Sequence, residues 1–188
     1  MRLEFASSNS SIVAVSLNQP PAWELPLDTC IRYHAPPSTS PSSANVSVVI
    51  EVLLNREPRR IYGLVGAQFA ENDSHVLSIV VPIVEVIQAS FNPIRPIDPM
   101  EIVTPGLPAE YAGGVLVSAA AQQQKVSRLG SGVLTFKWAA YAHHASHARV
   151  FEALAGSIVE LFDSQEEDYM ASVLTQKFKL DRLSWKLI

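Results

Sequence analysis

Apolar positions change their period halfway along the chain. In the first half they alternate with polar residues or form short β-branched blocks, the pattern of strands; in the second half they recur at three- and four-residue intervals, the pattern of helices. Leu3 and Phe5 alternate with polar neighbours and Ile12 to Leu17 is a β-branched run, which predicts a hairpin around Ser7 to Ser11. The run ends at Asn18, Gln19, Pro20 and Pro21, and Trp23 follows between prolines in a loop whose ring caps the core. Thr29 to His34 reads as a short strand, and residues 35–44, APPSTSPSSA, are too polar to pack and read as an exposed loop. Val46 to Leu54, Ile61 to Phe69 and His75 to Val81 read as consecutive strands. Their connections are too short for a parallel crossover, so the pattern predicts an antiparallel meander. Pro82 to Phe91 fits either a short helix begun by Pro82 or a longer strand.

Pro93, Pro96, Pro99 and Pro105 make residues 92–107 a stiff connector between a strand-rich part, 1–91, and a helix-rich part, 108–176. Pro108 suits the first turn of a helix, Glu110 complements its positive end, and Gly130 is a stop signal after Lys125 and Arg128. This helix is rich in small residues: Ala112, Gly113, Gly114, Ser118, Ala119 and Ala120. Each glycine costs about 1 kcal/mol against alanine in a helix interior, so a closely packed neighbour is the expected reason for them. Val133 to Trp138 reads as a strand. Ala148 to Phe162 is the clearest helix, with Val150, Phe151, Leu154, Ile158, Leu161 and Phe162 on one face. Ser164 with Glu167 has the spacing of a capping box for a last helix ending near Lys177. The tail, 177–188, is amphipathic and basic and fits a strand or a helix. Leu183, Trp185 and Leu187 are its candidate interface residues, docking on the same domain or on a partner subunit. The expected architecture is therefore a single α+β domain over residues 1–188: an antiparallel sheet from the N-terminal half, covered on one face by two helices of the C-terminal half.

Length and composition allow this. A chain of 188 residues, 48% hydrophobic, is long enough for one well-buried core. Charged residues make up 17%, below the roughly 25% of an average soluble protein, which favours a surface that meets a partner or self-associates. The formal net charge of −4 disfavours a dedicated nucleic-acid binder. The single cysteine, Cys30, excludes an intrachain disulfide framework and a cysteine-rich zinc site; it fits a reducing, cytoplasmic setting and reads as a small hydrophobe in a strand. No secretory segment is recognised at the start. No apolar run approaches the roughly 20 residues of a membrane helix, so no membrane partner is expected. The Asn-x-Ser matches at Asn9, Asn45 and Asn72 read as chance in a Ser-rich chain.

Candidate chemistry is sparse. His143, His144 and His147 precede the clearest helix, and His143 and His147 would share a face, at metal-ligand spacing, if that helix starts early. A third ligand would have to come from Glu152, His75 or His34, and the same helix N-terminus could instead hold an anion. Arg56, Arg59 and Arg60 concentrate positive charge at a strand connection, for a phosphate or an acidic partner if not simply for water. Cys30 and His34 fall on one face of a strand. No nucleophile elbow or phosphate-binding glycine loop is present, and no cofactor is implied.

Gly106-Leu107-Pro108-Ala109-Glu110-Tyr111, with Val115 beyond, resembles the G-x-[VIL]-P-x-E-Y-x-x-x-V segment that opens a helix in the fourth domain of elongation factor G. Val133-Leu134-Thr135, Tyr141, Ser146, Phe151 and Ala155-Gly156-Ser157 resemble, in the same order, the strand and helix that follow there. Across residues 105–162 the resemblance implies a β-α-β unit with a left-handed crossover and a domain that contacts RNA in the ribosome; the GTPase motifs of that family are absent. The leading functional expectation is a non-catalytic binding or assembly protein acting through protein–protein contacts. A ribosome- or RNA-associated module using Arg56, Arg59, Arg60 and the C-terminal lysines stands second, and a metal-dependent enzyme centred on His143, His144 and His147 third.

Overall fold

The computed structural model describes all residues except 38–45, 90, 95–100, 126–128, 163, 165, 181–182 and 188, and at 183–187 the backbone only. Among the described residues the elements are β1 (Arg2–Ser7), β2 (Ile12–Leu17), β3 (Cys30–Ala35), β4 (Val46–Arg56), β5 (Arg59–Glu71), β6 (Leu77–Pro82), β7 (Val103–Pro105), α1 (Ala109–Gln123), β8 (Gly132–Ala142), α2 (Ala148–Leu161), α3 (Glu167–Phe178) and β9 (Leu183–Leu187). This is an α+β fold. One sheet runs in the order β3-β6-β8-β5-β4-β2-β1-β9, with β7 on the far end of β8. Every pairing is antiparallel except β6 with β8.

The β1–β2 hairpin forms as expected, as does β4 with β5. The third strand of the expected meander does not sit beside β5. β8 lies between them, antiparallel to β5 and parallel to β6. The short connection from Glu71 to Leu77 still suffices, because two strand spacings are only about 10 Å and five extended residues reach about 16 Å. β8 thus enters the middle of the sheet from the C-terminal half, and β6, α1 and β8 make a β-α-β unit. Residues 83–89 form neither the short helix nor the longer strand: Val84 makes only a bridge to Leu107. Three residues of the proline-rich connector pair with β8 as β7, through Val103↔Ala142, Thr104↔Tyr141 and Pro105↔Ala140.

The inner strands are buried on both faces. On one, Val13, Val15, Val48, Ile50, Val65, Phe69, Ile79 and Phe136 pack against the helices. α2 lies on β5 and β4, α1 on β6 and β3, and α3 against α2. All six residues expected on the apolar face of α2 are buried. Tyr111 of α1 stacks on Phe151 of α2 with centroids 4.5 Å apart and rings 1° from parallel. The small residues let the two helices approach: a Cβ on Gly114 would lie 2.9 Å from Glu152 Cγ, and one on Gly156 would lie 3.1 Å from Ser118 Oγ. Gly113 has no such neighbour and faces outward.

On the other face Val49, Leu53, Tyr62, Leu64, Trp138, Ala140 and Ala142 form a second apolar layer, roofed by loops instead of helices. Trp23 caps it, as its proline-flanked position predicts, with its ring edge-on to Phe91 at 5.8 Å. β8 serves both layers because the pairing slips between Gly66 and Ala67: Phe136 pairs Ala67, Trp138 pairs Gly66, and Lys137 has no Cα partner on β5. Phe136 then faces the helices and Trp138 the opposite side.

Two predicted end signals resolve differently. Helix α3 begins at Glu167 with Glu166 as N-cap and no side-chain cap; Ser164 Oγ instead accepts from Glu166 N–H at 3.3 Å, so the capping box is not made. Within the tail, Lys177 and Phe178 still belong to α3, and residues 183–187 form a strand. β9 extends the sheet antiparallel to β1, with Leu3↔Leu187, Phe5↔Trp185 and Ser7↔Leu183 as register partners. No helix is long and apolar enough to cross a membrane among the described residues.

Candidate functional site

Arg56 closes β4 at the tip of its hairpin, 122 residues before Phe178 in the chain. Its guanidinium donates to the carbonyl oxygens of Phe178 and, at 3.2 Å, Lys179. These lie at the end of α3, where Lys179 turns left-handed at φ 47° and carbonyls lack helical partners. The contact fastens the hairpin tip to α3 and sets Lys177 and Lys179 beside it. The start of α2 completes the arrangement: His147 is its extended N-cap and Arg149 stands exposed in its first turn. These elements enclose a depression of about 140 Å³ whose rim carries Arg56, His147, Arg149, Lys177 and Lys179. Its floor is Leu54, Ile61, Val150, Ala153 and Phe178, and no acidic residue lines it.

The electrostatics of this groove are one-sided. A helix N-terminus carries a partial positive charge and ordinarily attracts acidic side chains, yet the first turn of α2 contains none and presents Arg149 instead. Arg149 has no ion-pair partner among the described residues. Lys177 is compensated, since its Nζ lies 2.6 Å from Glu160 Oε1 and donates to Gln122 Oε1 at 3.3 Å. The remaining positive charge has an apolar floor beneath it and water in front.

The groove brings His147, expected in a metal site, beside Arg56, Lys177 and Lys179, expected together as nucleic-acid contacts. Arg59 and Arg60 open β5, exposed and outside the lining. The histidines separate. Because α2 starts only at Ala148, His143 stays beyond the end of β8, its ring against Tyr141 at 5.3 Å, and shares no helical face with His147. The His144 backbone N–H donates to Glu101 Oε1 at 2.9 Å. Among the described residues no three His, Cys, Asp or Glu side chains are placed to hold a metal ion. Cys30 and His34 sit at opposite ends of β3, about 13 Å apart at strand rise, and His34 Nδ1 shares a hydrogen bond with Ser78 Oγ at 2.9 Å. The side chains of Leu183, Trp185 and Leu187 lie outside the described residues; their backbone pairs with β1.

A second feature escaped the sequence reading. Glu51, in the middle of β4, is 5% exposed and faces the loop-roofed layer. Its Oε1 accepts from Tyr62 Oη at 3.0 Å and from Ile94 N–H at 2.8 Å, while Oε2 lies 3.8 Å from Arg2 Nη2. Burial raises the Glu51 pKa above the ordinary carboxylate value, against the pull of the Ile94 and Tyr62 hydrogen bonds and the Arg2 charge. Burial, helped by the Glu51 charge, pushes the Tyr62 phenol well above its usual range. Beside the carboxylate is a half-open cavity of about 220 Å³. The only sequence signal for it was an acid inside the apolar run VSVVIEVLL.

Comparison of the chain with protein-family models, with curated proteins and with solved structures finds no match.

Proposed function

We propose that the protein is a non-catalytic binding module that takes an acidic segment of a protein partner in the groove between the β4–β5 hairpin tip, the start of α2 and the end of α3. The observation that supports this reading is the convergence of Arg56, His147, Arg149, Lys177 and Lys179 on an apolar floor without one acidic residue, in a chain whose net charge is −4. An acidic peptide carrying one apolar side chain satisfies both halves: carboxylates meet the rim and the apolar group covers Leu54, Ile61 and Phe178. Phosphate backbones would use the rim and leave the floor unused, so an RNA-binding module of the kind the elongation factor G resemblance implies is the second reading.

A fluorescein-labelled peptide with one leucine between aspartates and glutamates tests the choice by anisotropy. Binding should weaken as salt is added. It should fall at least tenfold in Arg149→Glu, an exposed change that places an acid where α2 tolerates one. Replacing the peptide leucine by serine should lose about tenfold or more, the affinity equivalent of roughly 1.5 kcal/mol of apolar burial. Absence of binding at low salt, or an unaffected Arg149→Glu, removes the reading. Tighter binding of a single-stranded RNA of equal charge replaces it with the RNA-binding one.

A further inference from the structure

The cavity beside Glu51 lies on the opposite face of the sheet from the basic groove, and its shape follows from strand register. Two rows cross that face. One runs Arg2, Ser16, Val49, Gly66 and Trp138, the other Glu4, Ala14, Glu51, Leu64 and Ala140. β2 contributes only the short side chains of Ser16 and Ala14 between longer ones on either side, which leaves a trough. Pro20, Pro21, Phe91 and Asn92 roof it, held by the Trp23–Phe91 ring contact.

Inside this trough opposite charges are neighbours without closing on each other. Glu51 is locked through Oε1 by Tyr62 and Ile94, which leaves its Oε2 3.8 Å from Arg2 Nη2, too far for a hydrogen bond. The Arg2 Nε is enclosed and has no hydrogen-bond partner among the described residues. Ala14, Val49, Leu64 and Phe91 make the rest of the wall apolar. A buried carboxylate costs stability unless paired closely, and Arg2, 42% exposed, pairs it loosely.

We infer that this cavity binds a free α-amino acid with a small apolar side chain, its ammonium donating to Glu51 and its carboxylate accepting from Arg2. The ligand must carry both charges, since a lone cation leaves the Arg2 donors unanswered and a lone anion approaches the Glu51 carboxylate. At about 220 Å³ the site is smaller than the roughly 300 Å³ at which drug-sized pockets begin, which restricts it to a small molecule.

The test titrates the full chain with L-leucine, isocaproate, which lacks the amine, and isoamylamine, which lacks the carboxylate. It follows the amide resonances of Glu51 and Leu64 and the indole N–H of Trp138. L-leucine should shift these signals and bind at least tenfold more tightly than either analogue. Glu51→Gln keeps an acceptor for Tyr62 and Ile94 and should weaken L-leucine at least tenfold. Ala14→Leu should fill the trough and abolish binding while the melting temperature shows the protein still folded. The inference is overturned if L-leucine causes no shift up to about 10 mM, well past a millimolar dissociation constant. It is equally overturned if either analogue binds as well as L-leucine, or if a folded Ala14→Leu binds it unchanged.

Discussion

Gly66→Ala tests the packing of the loop-roofed face. Gly66 stands in register between Val49 and Trp138, and an added Cβ would fall 2.7 Å from Val49 Cγ2 and 3.1 Å from Trp138 Cε3. Trp138, 1% exposed, has no room to retreat, and Val49, 4% exposed, could yield only toward the cavity it lines beside Glu51. The glycine has no positive φ, so the alanine suffers no backbone strain and gains about 0.5–1 kcal/mol from a stiffer unfolded chain. Overpacking of a filled core costs about 1–3 kcal/mol, which leaves a net loss centred near ~1 kcal/mol. For a chain of this size that lowers the melting temperature by about 2–4 °C, readable by circular dichroism with a matching drop in urea midpoint. Val49→Ala removes the methyl that the new Cβ meets. Its cost should therefore be smaller by about 1 kcal/mol in the Gly66→Ala background than in the wild type. A Gly66→Ala protein that melts at or above the wild-type temperature, or a pair additive within about 0.5 kcal/mol, would refute the close packing of Val49, Gly66 and Trp138.

Two further perturbations probe other parts of the fold. Gly106→Ala drives a Cβ to 2.4 Å from the Glu85 carbonyl oxygen, which Tyr141 Oη holds at 3.0 Å, whereas the Cβ of Gly114→Ala meets only the flexible Glu152 side chain. The first should cost about 2 kcal/mol or more and the second stay within about 1 kcal/mol of wild type, helped by helix propensity; urea midpoints in the reverse order would contradict the contacts assigned to both. Because burial raises the folded-state pKa of Glu51, the folded protein binds that proton more tightly than the unfolded chain. The added stability is fully present below the unfolded value near 4.5 and is lost as pH rises through the folded value. Glu51→Gln should remove that downward slope from a plot of unfolding free energy against pH, and an unchanged slope would mean that Glu51 is not its source.

The sequence carried the local structure far better than the neighbour relations. Alternation and β-branching marked β1 to β6, and the apolar face of α2 was legible residue by residue, because both reflect which side chains leave water. That β8 would part β5 from β6 was not legible, since a five-residue link is compatible with adjacency and with a one-strand gap alike. β7 was hidden because three residues ending in a proline present no period. At the groove, Arg56, Lys177 and Lys179 were recognisable as cations. Their meeting was not, because it depends on a guanidinium capping a helix end 122 residues away. Glu51 was missed for a different reason: a strand covered on both faces has no alternation against which a misplaced acid stands out.

The two candidate sites are the places where local physical rules are broken, and they are broken in opposite senses. A sequence that specifies one structure mostly makes capping, register and burial agree, and local breaks in that agreement are where function is sought. At the start of α2 a cation occupies the turn where an acid belongs, and in β4 an acid sits among Val49, Leu53, Tyr62, Leu64 and Trp138 in an apolar layer. Each leaves a charge unanswered or loosely answered: Arg149 has no ion-pair partner among the described residues, and Glu51 has only Arg2 at 3.8 Å. A ligand of complementary charge therefore removes an existing penalty in addition to making contacts. A ligand present at a hundredfold excess over its dissociation constant stabilises the folded state by about 2.7 kcal/mol. Melting temperature is thus a common readout for both sites, and the variants separate them. Arg149→Glu should erase the shift caused by the acidic peptide and spare that caused by L-leucine, and Glu51→Gln should do the reverse. If either variant erased both shifts, the two faces of the sheet would not be acting as independent sites.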